Sequence, residues 1–519
     1  MNIKNTIILL GLFLMSISCN NESTSKGRSE KYRSQIHFSP KSGWMNDPNG
    51  LVYYEGEYHL FFQYYPNGTQ WGPMHWGHAV SNDLIHWEEL PIALEPDELG
   101  WIFSGSAVVD YKNTSGLGQN GIAPLIAIYT YHNPQLEKEG SDEFQYQGLA
   151  YSLDKGRTWK KYLGNPVLPN NGIRDFRDPK IFWNESIDGW NMVLAVKDHI
   201  NIYSSRNLIE WSFESEFGVE LGSHEGVWEC PDLFPMKIEN SDEVKWVMLV
   251  SLNNGAPNGG SGTQYFVGDF DGRDFISNSE KVTWLDYGKD NYAGVTWNDL
   301  PENDERRLFI GWMNNWQYAN EIPSTNWRGT STIPRTLSLE KKQSSYLLKS
   351  EVVDEFKSLR GKSFKLSPDK IVGEQHVNKE IDSPVELNIE FKTSNNSQLN
   401  YAERFGLILS NDQDEMIKIG YDNYNKAFFI DKSKNGWNST QNNFAELNYA
   451  PYIINEDVLE LRLIIDKASV ELFAQDGLIT MTDQFFPKQP YNKIILFSEN
   501  GEVDLLNAQI TNLKSIWEK

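Results

Sequence analysis

The chain has 519 residues, enough for about three ordinary domains or two large ones. Its 47 basic and 71 acidic side chains give a formal charge of −24, which excludes nucleic acid and anionic membrane surfaces as natural partners. The 18 Trp, 24 Tyr and 26 Phe make 13% of the chain aromatic, a content that suits either a large β-protein or a protein with flat walls for packing on sugar rings.

At the N-terminus Lys4 precedes an apolar run from Thr6 to Ile17. That run has the length of an export-signal core and is too short to span a bilayer as a mature helix. Ser16 and Ser18 lead into Cys19. This resembles a bacterial lipoprotein signal in which Cys19 becomes the lipidated first residue, although leucine is more usual where Ser16 stands. Residues 1–19 are therefore expected to be a lipoprotein-type signal peptide, and the polar residues 20–33 a flexible tether. The expected location is exported and held at a bacterial membrane, periplasmic or surface-facing, by the lipid alone. Cys230 is the one other cysteine, so no disulfide framework supports the fold.

From Ile36 to about Leu339, short apolar and aromatic runs alternate with Gly, Asn, Asp and Pro, which is an all-β pattern. Three segments share one form: Ser81-Asn-Asp-Leu-Ile-His-Trp87, Ser152-Leu-Asp-Lys-Gly-Arg-Thr-Trp159 and Ser205-Arg-Asn-Leu-Ile-Glu-Trp211. The middle one matches an Asp-box, a hairpin turn in which the Asp carboxylate bonds the turn backbone and the Trp packs beneath. Repeated β-units predict a propeller over residues 34–345, with a blade count that spacing alone leaves open. Val352, Phe356 and Leu359 fall at i, i+4 and i+7, so 346–360 is expected to be a linker carrying one short amphipathic helix over Glu351–Arg360. Beyond it, Val385, Leu387, Ile389 and Phe391 alternate with polar residues, as do Leu459, Leu461 and Leu463, then Val470 and Leu472. Residues 361–519 are therefore expected to form a β-sandwich.

The chain lacks a Gly-rich phosphate loop, a zinc-binding His-Glu-x-x-His helix and a Gly-x-Ser-x-Gly nucleophile elbow. His75 and His78 cannot chelate together, because strand residues three apart face opposite ways. Three carboxylates stand out instead. Asp47 precedes Pro48-Asn-Gly50, Asp178 lies between Arg177 and Pro179, and Glu229 precedes Cys230-Pro231. Alternation predicts that Cys230 turns away from whatever Glu229 faces. Together the three meet the needs of glycosidic cleavage: one carboxylate at the anomeric carbon and one protonated carboxyl for the leaving oxygen. The neighbouring aspartates and a Trp-rich wall predict that Glu229 holds the proton. Glu225 is a rival acid, since 225, 227 and 229 would share a strand face.

In this order, Trp44-Met-Asn-Asp-Pro-Asn-Gly50, Arg177-Asp178-Pro179 and Glu229-Cys230 resemble the signature of glycoside hydrolase family 32, the invertase, inulinase and levanase group. Gln63, Trp71-Gly-Pro-Met-His-Trp-Gly-His78, Phe103-Ser-Gly-Ser106, Gly311-Trp-Met-Asn-Asn315, Trp327-Arg-Gly329 with Pro334-Arg335, and Asp466-Lys-Ala-Ser-Val-Glu-Leu-Phe473 support the likeness. The resemblance implies a five-bladed propeller followed by a β-sandwich. It casts Asp47 as nucleophile, Glu229 as acid/base and Asp178 as transition-state stabiliser, in a retaining reaction on β-D-fructofuranosides. Asn46, Gln63, Trp71, Phe103, Ser104 and Arg177 match positions of the fructose subsite, Trp44, Trp71 and Phe103 are candidates for the sugar-facing wall, and no metal or organic cofactor is implied. The expected partner is a fructose-containing oligo- or polysaccharide, with exo-action on levan or inulin favoured over strict sucrose hydrolysis. The rival readings are a fructosyltransferase, a noncatalytic surface glycan-binding lipoprotein, and a sialidase suggested by the Asp-box. The last would need a Tyr nucleophile and an arginine cluster that the sequence does not offer.

Overall fold

A computed structural model describes residues 28–518 apart from 278–280, 367–368, 379, 394–399 and 438–442. The predicted signal peptide, its Cys19 and residues 20–27 of the predicted tether lie outside the described residues. The rest of that tether is packed. Arg33 is wholly buried, its guanidinium held by Glu30, Ser39 and the carbonyls of Pro40 and Lys41, and Arg28 lies over the Trp517 ring at 3.6 Å. Both cations are anchored within the body of the protein, so ordered chain begins before residue 34.

Five antiparallel sheets surround an axis. Their innermost strands are Gly43–Tyr54, Trp101–Val109, Phe176–Asn184, Trp228–Lys237 and Tyr292–Thr296, each meeting the next around a closed ring. The architecture is a five-bladed β-propeller. The ring closes through the chain itself: Trp327–Arg328 pairs in parallel with Gly43 and Trp44, and Asn298 exchanges backbone hydrogen bonds with Leu51 and Tyr53.

The three sequence repeats form turns of one kind at blade edges. Asp83 Oδ1 accepts from the amides of Ile85 and His86, Asn207 Oδ1 from those of Ile209 and Glu210, and Asp154 Oδ1 from Thr158. Such Asx turns satisfy orphan backbone donors without any ladder. Below them, the Trp159 and Trp211 indoles donate to the carbonyls of Gly156 and Leu208, while Trp87 stacks on Trp297. These three tryptophans therefore pack blades.

The last blade runs further than the sequence suggests. Its outer strand is Ser345–Val352, where Val352 pairs with Arg335, so the blade continues past residue 345. The expected helix is a 3-10 turn over Asp354–Leu359 with Phe356 and Leu359 buried. Val352 keeps its predicted burial but belongs to a strand, because its ladder partner outcompetes a helix too short to nucleate alone.

The C-terminal part is a β-sandwich whose two layers share the 21-residue strand Lys493–Leu513. The first part of this strand pairs with Arg404–Ser410 and the later part with Val385–Lys392. Val385, Leu387, Ile389, Phe391, Leu459, Leu461, Leu463, Val470 and Leu472 meet Phe405, Leu407, Leu409, Ile417 and Ile419 in one apolar core. The period-2 runs thus bury one face each.

Propeller and sandwich meet across buried charges. Arg335 reaches Glu471 of the sandwich at 2.5 Å and Asp286 of the propeller at 3.1 Å. Glu471 also meets the His37 ring at 2.8 Å, whose other nitrogen lies 2.9 Å from Asp466. A second bridge sets Lys432 2.8 Å from Asp483 and 3.4 Å from Asp290. Burial opposes the charge on His37, but its bonds to Asp466 and Glu471 outweigh that and push it up to about 9. Burial likewise opposes the charge on Glu471, yet Arg335 and His37 pull it down to about 2.

The signs follow from linkage. The stability that His37 contributes is complete below about pH 6.5 and is lost as pH rises through about 9. That of Glu471 is complete above about pH 4.5 and is lost as pH falls through about 2. The difference in melting temperature between the wild-type chain and His37→Gln should therefore be largest at about pH 4.5–6.5 and shrink towards pH 9. A difference that stays constant from pH 6 to 9 in calorimetry would contradict the charged pairing.

Candidate active site

All five inner strands break their ladder at the same end of the propeller. Register shifts fall between Met45 and Pro48, Ile102 and Gly105, Arg177 and Lys180, Glu229 and Asp232, and Tyr292 and Val295. A bulge suspends the alternation of a strand and re-aims its side chains. The residue pairs at these breaks are Asn46–Asp47, Phe103–Ser104, Arg177–Asp178, Glu229–Cys230 and Tyr292–Ala293, of which Arg177, Glu229 and Tyr292 are the last ladder-paired residues before the break. Each pair is followed by proline or glycine: Pro48, Gly105, Pro179, Pro231 and Gly294. Proline brings no N–H to leave unpaired, and the glycines are required sterically. A Cβ on Gly105 would lie 2.2 Å from the Ile128 carbonyl oxygen, and one on Gly294 2.1 Å from the Phe309 ring. Asp178, Cys230 and Ala293 sit at φ +64, +46 and +53°, strained values of a kind that cluster at functional sites.

The three carboxylates converge on Cys230. Its thiol lies 3.6 Å from Asp47 Oδ2 and 3.7 Å from Asp178 Oδ2, and its amide donates to Asp178 Oδ2 at 3.1 Å. Cys230 therefore does not turn away from the side that Glu229 serves, as strict alternation predicts, because the bulge at 229–232 removes the alternation. Burial, then the charges of Asp47, Asp178 and Glu229, push the thiol well up, so it remains a weak S–H donor with no thiolate for attack.

Asp47 is fixed by Ser104 Oγ at 2.7 Å on Oδ2 and Asn46 Nδ2 at 3.0 Å on Oδ1. Burial, with the charge of Glu229 adding, pushes its carboxyl up. Asp178 is also pushed up by burial; Arg177 opposes this, and Glu229 and Asp47 reinforce it. Arg177 bonds Asp175 at 2.6 Å and Glu229 Oε1 at 2.9 Å, with its Nε 3.9 Å from Asp178. Glu225 is exposed in the turn ahead of the strand, which begins at Trp228, so it shares no strand face with Glu229.

Tyr292 is a site residue without a sequence signal of its own. It is fully buried and its hydroxyl donates to Glu229 Oε2. Only the register break between Tyr292 and Val295, of the same form as that between Glu229 and Asp232, marks it as part of the site. Trp44 departs from its expected place in the sugar-facing wall. It is wholly buried, stacks on Trp316, and donates from Nε1 to Asn46 Oδ1 at 2.7 Å, so it orients Asn46 from behind.

Trp71, 39% exposed, stands edge-on to Trp101 and Phe103, and Phe103 stacks on His132 at 4.3 Å. Burial, then Arg177, hold His132 down to about 4, so this ring is neutral. Gln63 is buried, and its Nε2 has no hydrogen-bond partner among the described residues. His75 faces the Pro73 carbonyl while His78 contacts His59 at 3.0 Å. Among the described residues no group of three or more His, Cys, Asp and Glu side chains is placed to hold a metal. Two loops border the mouth. The loop within His132–Tyr146 carries a short helix, Pro134–Lys138, capped by Asn133. Asn253–Gly262 is tied to the sandwich, where Asn258 bonds the backbone of Tyr449.

Residues 37–350 match the model of the glycosyl hydrolases family 32 N-terminal domain, and 355–512 that of the family 32 C-terminal domain. A levanase of Bacillus subtilis (strain 168) is 47% identical over 519 residues, covering 98% of this chain and 75% of that enzyme. An extracellular exo-inulinase of Aspergillus awamori is 38% identical, covering 94% and 96%. The crystal structure of an exo-inulinase from Aspergillus awamori superposes with a TM-score of 0.86 at 36% identity, over 94% of this chain and 100% of that one. That of a β-fructofuranosidase from Schwanniomyces occidentalis complexed with fructosyl-erythritol gives 0.84 at 35%, over 95% and 99%.

Tyr292→Phe removes one hydrogen bond to a carboxylate, worth about 1.5–3 kcal/mol. Turnover should fall about 10- to 100-fold and the pH–rate profile should move, with the melting temperature little changed. Wild-type rates and an unmoved profile would show that the hydroxyl does not serve Glu229.

Proposed function

The chain belongs to glycoside hydrolase family 32, and from the convergence of its carboxylates we propose that Asp47, Asp178 and Glu229 cleave fructosidic bonds by a retaining double displacement. The observation that carries this reading is the single thiol of Cys230 within reach of both aspartates while its chain neighbour is Glu229. Asp47 Oδ attacks the anomeric carbon of a bound fructosyl unit, and that carbon's bond to the leaving oxygen breaks. Glu229 gives its proton to that oxygen. A water then attacks the fructosyl–Asp47 ester, its proton passes to Glu229, and Asp47 leaves as carboxylate. Asp178 faces the positive charge that develops on the ring, held by the Cys230 amide. Arg177 keeps three carboxylates within one buried space that would otherwise repel. Asn46, Gln63, Trp71, Phe103, Ser104 and Arg177 form the subsite for the fructose ring, with the Gln63 amide as a waiting donor.

The enzyme is a glycoside hydrolase of the β-fructosidase kind, acting on fructans and sucrose. Relatives named levanase, extracellular exo-inulinase and invertase cover nearly all of its length. Hydrolysis fits this company better than fructosyl transfer, and a purely glycan-binding role would leave the three carboxylates without a task. Exo-action on levan or inulin is our reading of its preferred substrate. Asp47→Asn and Glu229→Gln should each lower turnover about a thousandfold or more, while chromatography of products from levan, inulin and sucrose run in parallel should show fructose as the main product from a fructan. Near-wild-type fructose release by either variant would overturn the assignment of roles.

Export rests on the N-terminal apolar run, and relatives described as extracellular agree with it. We place the mature N-terminus at a lipidated Cys19. Mass spectrometry of the membrane fraction should find an acylated Cys19, and an unmodified cysteine or another cleavage point would refute the anchor.

A further inference from the structure

The inner strands all run from the carboxylate end of the propeller to a second mouth. Three to five residues further along them, about 10–17 Å, a cavity of about 370 Å³ opens, within the range of about 300–1,000 Å³ typical of small-ligand sites. One wall is aromatic: Phe182 and Trp246 lie 5.7 Å apart and tilted, and both are half-buried. Across from them stand groups whose bonding capacity the chain does not use. The Arg307 guanidinium makes no hydrogen bond or ion pair among the described residues and rests over the Phe234 ring at 4.8 Å. Asp232, wholly buried behind this lining, gives Oδ2 to Lys180 and to the amide and hydroxyl of Thr296. Asp299 at the rim takes one bond, from the Val109 amide at 2.8 Å.

An unfilled fork of donors on Arg307 and the second oxygen of Asp299 in one lining are best completed by a ligand that serves both. An apolar ligand would complete neither. An anion would suit Arg307 but would face Asp299 and Glu185 in the same lining, with Asp232 behind it. A neutral ligand carrying adjacent hydroxyls, with apolar ring faces for the aromatics, meets Arg307, Asp299 and the aromatic wall at once. We propose that this second mouth is a sugar-binding site, distinct from the cleavage site, that takes one or two sugar units of the fructan chain and so grips a polymer away from its reacting end. The proposal rests on the fructosidase reading for the identity of the sugar, but not for the existence of the site.

The test uses fructose, which the enzyme cannot cleave, titrated into the wild-type protein labelled at the tryptophan indoles for NMR. The Trp246 signal is assigned with Trp246→Phe and the Trp71 signal with Trp71→Phe. Trp246 should shift saturably, and Arg307→Met should weaken that response at least tenfold while leaving the response of Trp71 unchanged. Should Arg307→Met fail to fold, Asp299→Asn, which keeps the bond from Val109, should weaken the Trp246 response at least threefold. A Trp246 signal that stays still while Trp71 saturates overturns the second site and leaves the cleavage site standing. A response of Trp246 without one of Trp71 supports the second site and counts instead against the proposed fructose subsite.

Discussion

The site exists because five inner strands interrupt their ladders at one level. An uninterrupted strand would send alternate side chains into the blade, and each inner strand could then offer only every second residue to the axis. A bulge in each, stabilised by a following proline or glycine, presents two adjacent residues in its place. The strained backbone at Asp178, Cys230 and Ala293 persists because the surrounding blades, closed by Trp327–Arg328 and Asn298, leave the chain no relaxed alternative.

That convergence creates an electrostatic problem that Arg177 solves. Three carboxylates in a poorly hydrated space would drive one another neutral. Asp47 and Asp178 are both pushed up by burial and by their neighbours. The guanidinium reaches Asp175 and Glu229 and stands beside Asp178, so charge is spread across the group while the separate settings of the three carboxylates survive. Asp47 is held by neutral donors from Ser104 and Asn46, whereas Glu229 is held by a cation and a phenol. Different surroundings for chemically similar groups are what the proposed roles require, one group to attack and another to move a proton.

The sandwich is joined to this propeller through charge as well as apolar packing. Arg335, His37, Glu471, Asp286 and Asp466 are buried together, two cations among three carboxylates whose further bonds include those from backbone amides and the Thr482 hydroxyl. A buried pair gains little over apolar packing, but leaving one partner alone costs about 3–5 kcal/mol. Such a network therefore fixes how the two parts sit more than it adds stability. Asn258 carries the same connection to the rim of the site, because its loop borders the Glu229 blade while its side chain is bonded to the sandwich.

Sequence by itself determined what depends on local order. The Asp-box turns, the apolar alternation at Val385–Phe391, the three carboxylate motifs and the likeness to family 32 were all legible, because an Asx turn, a half-buried strand and a short motif are encoded by residues next to one another. It failed where a residue's direction depends on its partner strand. Cys230 was expected to face away, Glu225 to share a face with Glu229, Trp44 to meet sugar and Val352 to sit in a helix; each expectation assumed an unbroken period. Tyr292 carried no motif at all, and Arg33 looked like part of a polar tether. Only the tertiary structure could decide these, since bulges, ring closure and burial arise when distant strands pair, and a carboxylate acquires its setting from residues that approach it from other blades.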